Sequence, residues 1–213
     1  MEPQQFVQKT RTSRRVPDVI FDTFCRNLNI RSDTVITPLG AFNFIIRRMK
    51  CGSNYRSPAI SSQFPIHFSL PCHIRTLLIP VIFDDTNTAY SEKEKRKGIS
   101  YGHTAVAAVC LESQRMVYMD TTIGNPDYTL FRKLMQSRLM VYLRKLTKRK
   151  LTSCTHLLVE STKSGARTES RVVAAWVLQS IVNEPGSRAS DWEKFTFPVF
   201  LAIKKEEATE ENV

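Results

Sequence analysis

The 213 residues carry a formal charge of +11, with 42% hydrophobic and 24% charged residues, a balance that excludes a disordered or fibrous chain and fits one globular core. No apolar run approaches the ~18 residues of a membrane span, and the opening MEPQQFVQKTRTSRR lacks the apolar stretch of a secretory signal; neither membrane insertion nor export is expected. Five cysteines at wide spacings, with no C-x-x-C, argue against a disulfide framework and a zinc finger and fit a reducing, intracellular setting.

Taken in chain order, residues 1–15 are polar and basic without periodicity and read as a flexible arm. Pro17 suits a first helical turn, and Ile20, Phe24 and Leu28 recur every four residues, which predicts a helix over 17–29 with one apolar face. Thr37-Pro38 repeats the helix-start signal, and the following LGAFNFIIRRM is apolar on most faces and is expected to be buried. Residues 51–75, rich in Ser, Pro and Asn, read as a loop with short extended pieces. TLLIPVIF (76–83) is a buried-strand candidate, its Pro80 pointing to an edge or a strand end. The charged stretch 84–98 reads as an exposed loop.

The next block carries the most information. YGHTAVAAVCL (101–111) and MVYMD (116–120) are apolar strands joined by the tight reversal Glu112-Ser113-Gln114-Arg115. In such a hairpin His103, at the start of the first strand, and Asp120, at the end of the second, lie side by side. A helix over 127–149 places Phe131, Leu134, Met135, Leu139, Tyr142, Leu143 and Leu146 on one face, with Arg138, Arg144, Lys145 and Lys148 among the basic residues on the remainder. THLLV (155–159) is a strand, ESTKSGARTES a loop, and 170–182 a helix whose core face is Val172, Val173, Trp176 and Val177. Residues 195–203 are apolar, and the tail 204–213 is acidic and expected to be disordered. No repeat or linker divides the chain, so residues 16–203 are expected to form one α+β domain.

A His beside an Asp supplies the base and the orienting carboxylate of a cysteine or serine hydrolase, with the nucleophile still to be found. On geometry alone a strand-end His is more often structural. The order of elements adds to it. From about residue 14 to 200 the chain resembles the Ulp1-type SUMO-protease (sentrin-specific protease) family. RRVPDVIFDTFCRNLN looks like that family's opening W-L-x-D-x-V-I helix, and HIRTLLIPVIF like its strand ending in I-P-I. GHTAVAAVCLESQRMVYMDTT looks like its H-W-x-L-x-V-I … Y-x-D-S hairpin. ESTKSGARTESRVVAAWVLQSI falls where the family has Q-x-x-x-x-D-C-G at a helix start. The resemblance implies a papain-like fold, a central mixed sheet flanked by helices. It assigns His103 to the catalytic His, Asp120 to its orienting Asp, Ser170 to the position of the nucleophilic Cys and Ser164 to that of the oxyanion-hole Gln. The Trp that covers the substrate's Gly-Gly tail in the family is Thr104, and the D-C-G triplet has become Glu169-Ser170-Arg171.

The replacements all weaken catalysis. Serine is a poor nucleophile in a site tuned for a thiolate, one lost oxyanion donor costs ~10²–10³ in rate, and Arg171 crowds a backbone that must approach substrate. Cys25, Cys110 and Cys154 are poor substitutes, placed in a core helix, on the far face of a strand and ahead of a buried strand. The leading expectation is a pseudoprotease acting as a protein-interaction subunit or scaffold, in the nucleus rather than the cytoplasm. Its partners would be a ubiquitin-like modifier or complex subunits, bound through Thr104, Arg171, Arg138, Arg144, Lys145 and Lys148. Three alternatives stand beside it: an active hydrolase using Ser170, His103 and Asp120; a composite site completed by a partner subunit; and a sequence-independent nucleic-acid binder using residues 1–15 and the 132–149 face. No nucleotide motif and no metal-ligand spacing occurs, His67, His73 and His156 included, so no cofactor or metal is expected.

Overall fold

Strands rich in β-branched and aromatic residues dominate the middle of the chain, and their two-residue alternation decides what each face of the sheet meets. The architecture comes from a computed structural model that describes residues 16–47, 50–51, 54–55, 59–65, 69–85, 102–121, 135–161, 170–183 and 201–205. The elements are helix α1 (Asp18–Arg26), strands β1 (Thr34–Ile36), β2 (Phe42–Arg47), β3 (Lys50–Cys51), β4 (Asn54–Tyr55), β5 (Ala59–Gln63), β6 (Thr76–Asp85), β7 (Gly102–Cys110) and β8 (Arg115–Thr121), a π-helical turn (Met135–Leu139) running into α2 (Met140–Thr147), β9 (Ser153–Ser161), α3 (Ser170–Asn183) and β10 (Leu201–Lys205). The chain is α+β, with an open mixed sheet in the order β10-β9-β8-β7-β6-β2-β5 and β1 lying beside β6. The β6–β7–β8 meander is antiparallel, β9 joins β8 in parallel, and β1 and β2 both run parallel to β6.

Central strands buried on both faces read as unbroken apolar runs. On one face Leu78, Ile82, Val106, Ala108, Val117 and Met119 pack against Phe21 and Phe24 of α1 and Val173, Leu178 and Ile181 of α3. On the other, Leu77, Ile79, Val81, Val109 and Met116 pack against Leu139, Met140 and Leu143 of the α2 region. Aromatic rings close this second core: Phe44 stacks on Phe83 with centroids 5.2 Å apart, and Phe64 lies between Phe42 and Tyr142 at 5.6 and 5.0 Å.

Several expectations meet corrections here. The segment after Thr37-Pro38 is not helical. Its Phe42-Asn43-Phe44 alternation puts two buried aromatics on one strand face, and β2 results. Gly40, at φ +88°, makes the turn that separates β1 from β2. Pro80 is neither at an edge nor at a strand end: it pairs with Val106 in the middle of β6. It is tolerated because β6 changes partner there. Ile36 is opposite Leu78 and Phe42 is opposite Val81, so no strand residue stands beside Pro80 on that side. The Leu78 carbonyl accepts the Thr37 amide (2.9 Å) on the same side, and two residues along a strand the backbone nitrogen of Pro80 faces that way too, into the gap, where no N–H is required. The helix expected over 127–149 is described from Met135 and ends at Thr147; residues 127–134 lie outside the described part. β10 continues to Lys205, two residues into the segment read as an acidic tail. The stretch 84–98, expected as a loop, begins with strand: Asp84 and Asp85 are the last two residues of β6, and 86–98, like the arm at 1–15, fall outside the described residues. Among those described, no helix is long and apolar enough to cross a membrane.

Candidate functional site

The start of α3 holds Ser170, which the resemblance sets at the position of the family's nucleophile, and the fold sets it against β7 and α1. The helix SRVVAAWVLQSIVN is apolar almost all round, and Val172 through Ala175, Val177, Leu178 and Ile181 are buried. A helix with so little polar surface has to be covered on most sides, and the sheet and α1 together do that. Ser170, half-buried at its first position, accepts a hydrogen bond on Oγ from the backbone amide of Thr104 (3.1 Å). A helix-start serine ordinarily turns its oxygen toward the amides of its own first turn. Here the oxygen is used across the α3–β7 seam. Thr104 is itself buried, and its Oγ1 has no hydrogen-bond partner among the described residues.

Arg171 follows. Its side chain is 1% exposed and runs inward, where it meets the Asp18 carboxylate (Nη1 to Oδ1, 2.6 Å) and donates to the Val16 carbonyl. An unpaired buried guanidinium would be prohibitively costly, so Asp18, in the first turn of α1, is what lets an arginine stand here; the α1 dipole also favours an acid at that place. The pair ties the starts of α1 and α3 together. Arg171 therefore serves the interior and offers no surface to a partner, and the same holds for buried Thr104.

The backbone of His103 pairs with Phe83, and that of Asp120 with Leu158. Met119 stands opposite Val106, so His103 and Asp120 lie near the same end of adjacent strands, and Ser170 is bonded to the residue next to His103. The side chains of His103 and Asp120, and all of Ser164 and Glu169, lie outside the described residues. The geometry thus brings Ser170, Thr104 and the His103 backbone together.

Four cysteines have described side chains: Cys25, Cys72, Cys110 and Cys154. Cys25 is buried in α1, and its thiol is pushed up to about 12, by burial first and then by the neighbouring Asp22 carboxylate. Cys110 is buried at the far end of β7 from His103, its sulfur accepting the Ser113 amide (3.5 Å). Cys72 is exposed and Cys154 half-buried, and neither is in a disulfide. Among the described residues no three His, Cys, Asp or Glu side chains gather as a metal site would require.

Arg138, in the π-helical turn, is half-buried, while Arg144 and Lys145 of α2 and Lys148 just beyond it are exposed. Arg144 also donates to the Leu151 carbonyl (2.9 Å), and Arg149 to the Leu111 carbonyl (2.7 Å), so part of the basic face holds the loop after α2 to the helix and to the end of β7. Lys148 has φ +53°, the left-handed conformation that ends helices. Sequence reasoning missed Asp18 as the partner of Arg171. The one signal available was an acid in the first helical turn, which is explained equally well by the helix dipole. The chain matches no family model, no curated protein and no solved structure.

Proposed function

We propose that this chain is a catalytically inactive protein of the Ulp1-type, papain-like protease fold that works as a protein-interaction subunit of a nuclear complex. The observation that carries the reading is the Ser170–Thr104 hydrogen bond. It puts the residue at the nucleophile's position beside the strand end bearing His103, the juxtaposition that the resemblance requires. At the same time it occupies the serine oxygen with a backbone amide, and the next residue fills the seam with a buried ion pair. A glycine there would leave the backbone open to a substrate; Arg171 and Asp18 instead lock two helix starts together. The arrangement keeps a protease's framework and spends its reactive position on stability. What remains for function is surface.

Affinity capture of the full chain at near-physiological salt, followed by mass spectrometry, tests the interaction half of the proposal. Specific protein partners should be recovered equally by wild type and by Ser170→Ala. Recovery of the bait alone would sink it, and partners lost on Ser170→Ala in a folded variant would favour a working site.

A further inference from the structure

The register aligns five strand positions in one row across the sheet: Thr34 of β1, Thr76 of β6, Cys110 of β7, Arg115 of β8 and Ser153 of β9. With strands ~4.8 Å apart the row spans about 20 Å. Basic residues far apart in sequence lie at this end of the sheet, Arg26 on the face that α1 covers and Lys145 on the face that α2 covers. Arg26 ends α1, whose connection leads into β1; Arg115 opens β8; Lys145 lies in the last turn of α2; Lys148 and Lys150 lie in the loop to β9. All five are exposed. Among the described residues, two carboxylates of this end are already engaged, Asp33 by Arg31 (2.7 Å) and Glu112 by Arg75 (3.0 Å). The acids at the ends of β6, β8 and β9, namely Asp84, Asp85, Asp120 and Glu160, fall at the opposite end of the sheet.

Part of this polarity belongs to folding. α1 and α3 start together through Asp18 and Arg171, α3 starts beside Thr104 at the other end of β7 from Cys110, and α2 runs into the loop before Ser153, so all three helices point their negative C-termini at the row. Cations in the last turns, Arg26 and Lys145, offset those dipoles. Arg115, Lys148 and Lys150 lie outside any helix and have no such explanation. None of them meets a carboxylate among the described residues.

We propose that this end of the sheet is a docking face for the phosphate backbone of a duplex nucleic acid. The row is too long for one phosphate or one lipid headgroup, and it matches an extended polyanion with closely spaced charges. No exposed aromatic ring accompanies the cations among the described residues, so the described face offers charge rather than the stacking that single strands use. Ile30, the large apolar side chain exposed nearby among the described residues, is too little to anchor the chain in a bilayer. Recognition is through phosphates alone and blind to sequence. The face lies away from the Ser170 seam, and the inference stands independently of the protease-fold reading.

Fluorescence anisotropy of a labelled DNA duplex, titrated with the full chain at several salt concentrations, tests it. Wild type should bind, with log affinity falling linearly against log salt. Replacing Arg115, Lys145, Lys148 and Lys150 together by Gln should make that slope shallower by about three and lower the affinity at least tenfold at ~0.1 M salt. The charge-keeping set Arg115→Lys, Lys145→Arg, Lys148→Arg and Lys150→Arg should bind as wild type does, which separates charge from folding. Absence of binding at low salt would overturn the proposal. So would binding that survives the four Gln substitutions, tighter binding of a single strand of the same length, or equal affinity for vesicles containing phosphatidylserine.

Discussion

Arg171 shows how one side chain can decide what a position does. Its charge is tolerable in the interior because Asp18 stands 2.6 Å away and the Val16 carbonyl accepts from it. Removing one partner of a buried pair is more damaging than removing the buried charge itself. Asp18→Asn should therefore cost more stability than Arg171→Met. Because Asp18 is one-third exposed, the loss should be at or below the low end of the ~3–5 kcal/mol typical of a fully buried pair. Urea denaturation of the two variants checks both the order and the size; equal stability of Asp18→Asn and wild type would mean that the pair contributes nothing. Cys25 makes a second prediction at this scale. Its thiol titrates near 12 in the folded chain, against about 9 ordinarily, so the native state holds the proton more tightly than the unfolded state does. The stability this confers is intact below the ordinary thiol value and is lost as the pH climbs from about 9 toward 12. By pH ~10 the loss should be about 1 kcal/mol. Comparing unfolding at pH 7 and 10 should show a smaller alkaline loss for Cys25→Ala than for wild type, while the exposed thiol of Cys72 reacts with a disulfide reagent well before Cys25 does.

At the scale of elements, burial explains both what was legible in the sequence and what was not. The β7–β8 hairpin was readable because two apolar runs flank a short polar reversal, and α3 because its apolar residues recur with a helical period. β2 was hidden behind Thr37-Pro38, a start signal for a helix that does not form, since the pairing of Phe42 and Phe44 with β6 outweighs a local preference. Pro80 misled for a similar reason: a proline rule written for one ladder cannot foresee a strand whose neighbour changes from β1 to β2 beside it. The site was legible only as positions. Sequence placed Ser170 near His103, and the fold brings its oxygen to the Thr104 amide; the inward turn of Arg171 depended on a partner 153 positions earlier in the chain, which no local pattern reveals. Helix α3 is the element that the sheet and α1 enclose, and its core side chains have little room to relax. Leu178, fully buried between them, should cost about 3 kcal/mol on replacement by Ala, whereas Val19→Ser on the exposed side of α1 should change stability by less than ~0.5 kcal/mol. Denaturant midpoints measure both.

In the whole molecule the two ends of one sheet carry different groups. At one end the starts of α1 and α3 and the residue next to His103 are joined by Ser170, Thr104, Arg171 and Asp18, in an arrangement that serves cohesion. At the other end lie the exposed cations and the helix C-termini. The proposal that the Ser170 end is not catalytic can be checked by intact-mass analysis after prolonged incubation of the full chain with ubiquitin-like proteins bearing a C-terminal electrophile, and with a fluorophosphonate. The mass should stay unmodified even at high probe concentration. A covalent adduct that forms on wild type and disappears in a folded Ser170→Ala variant would contradict it and identify Ser170 as a working nucleophile.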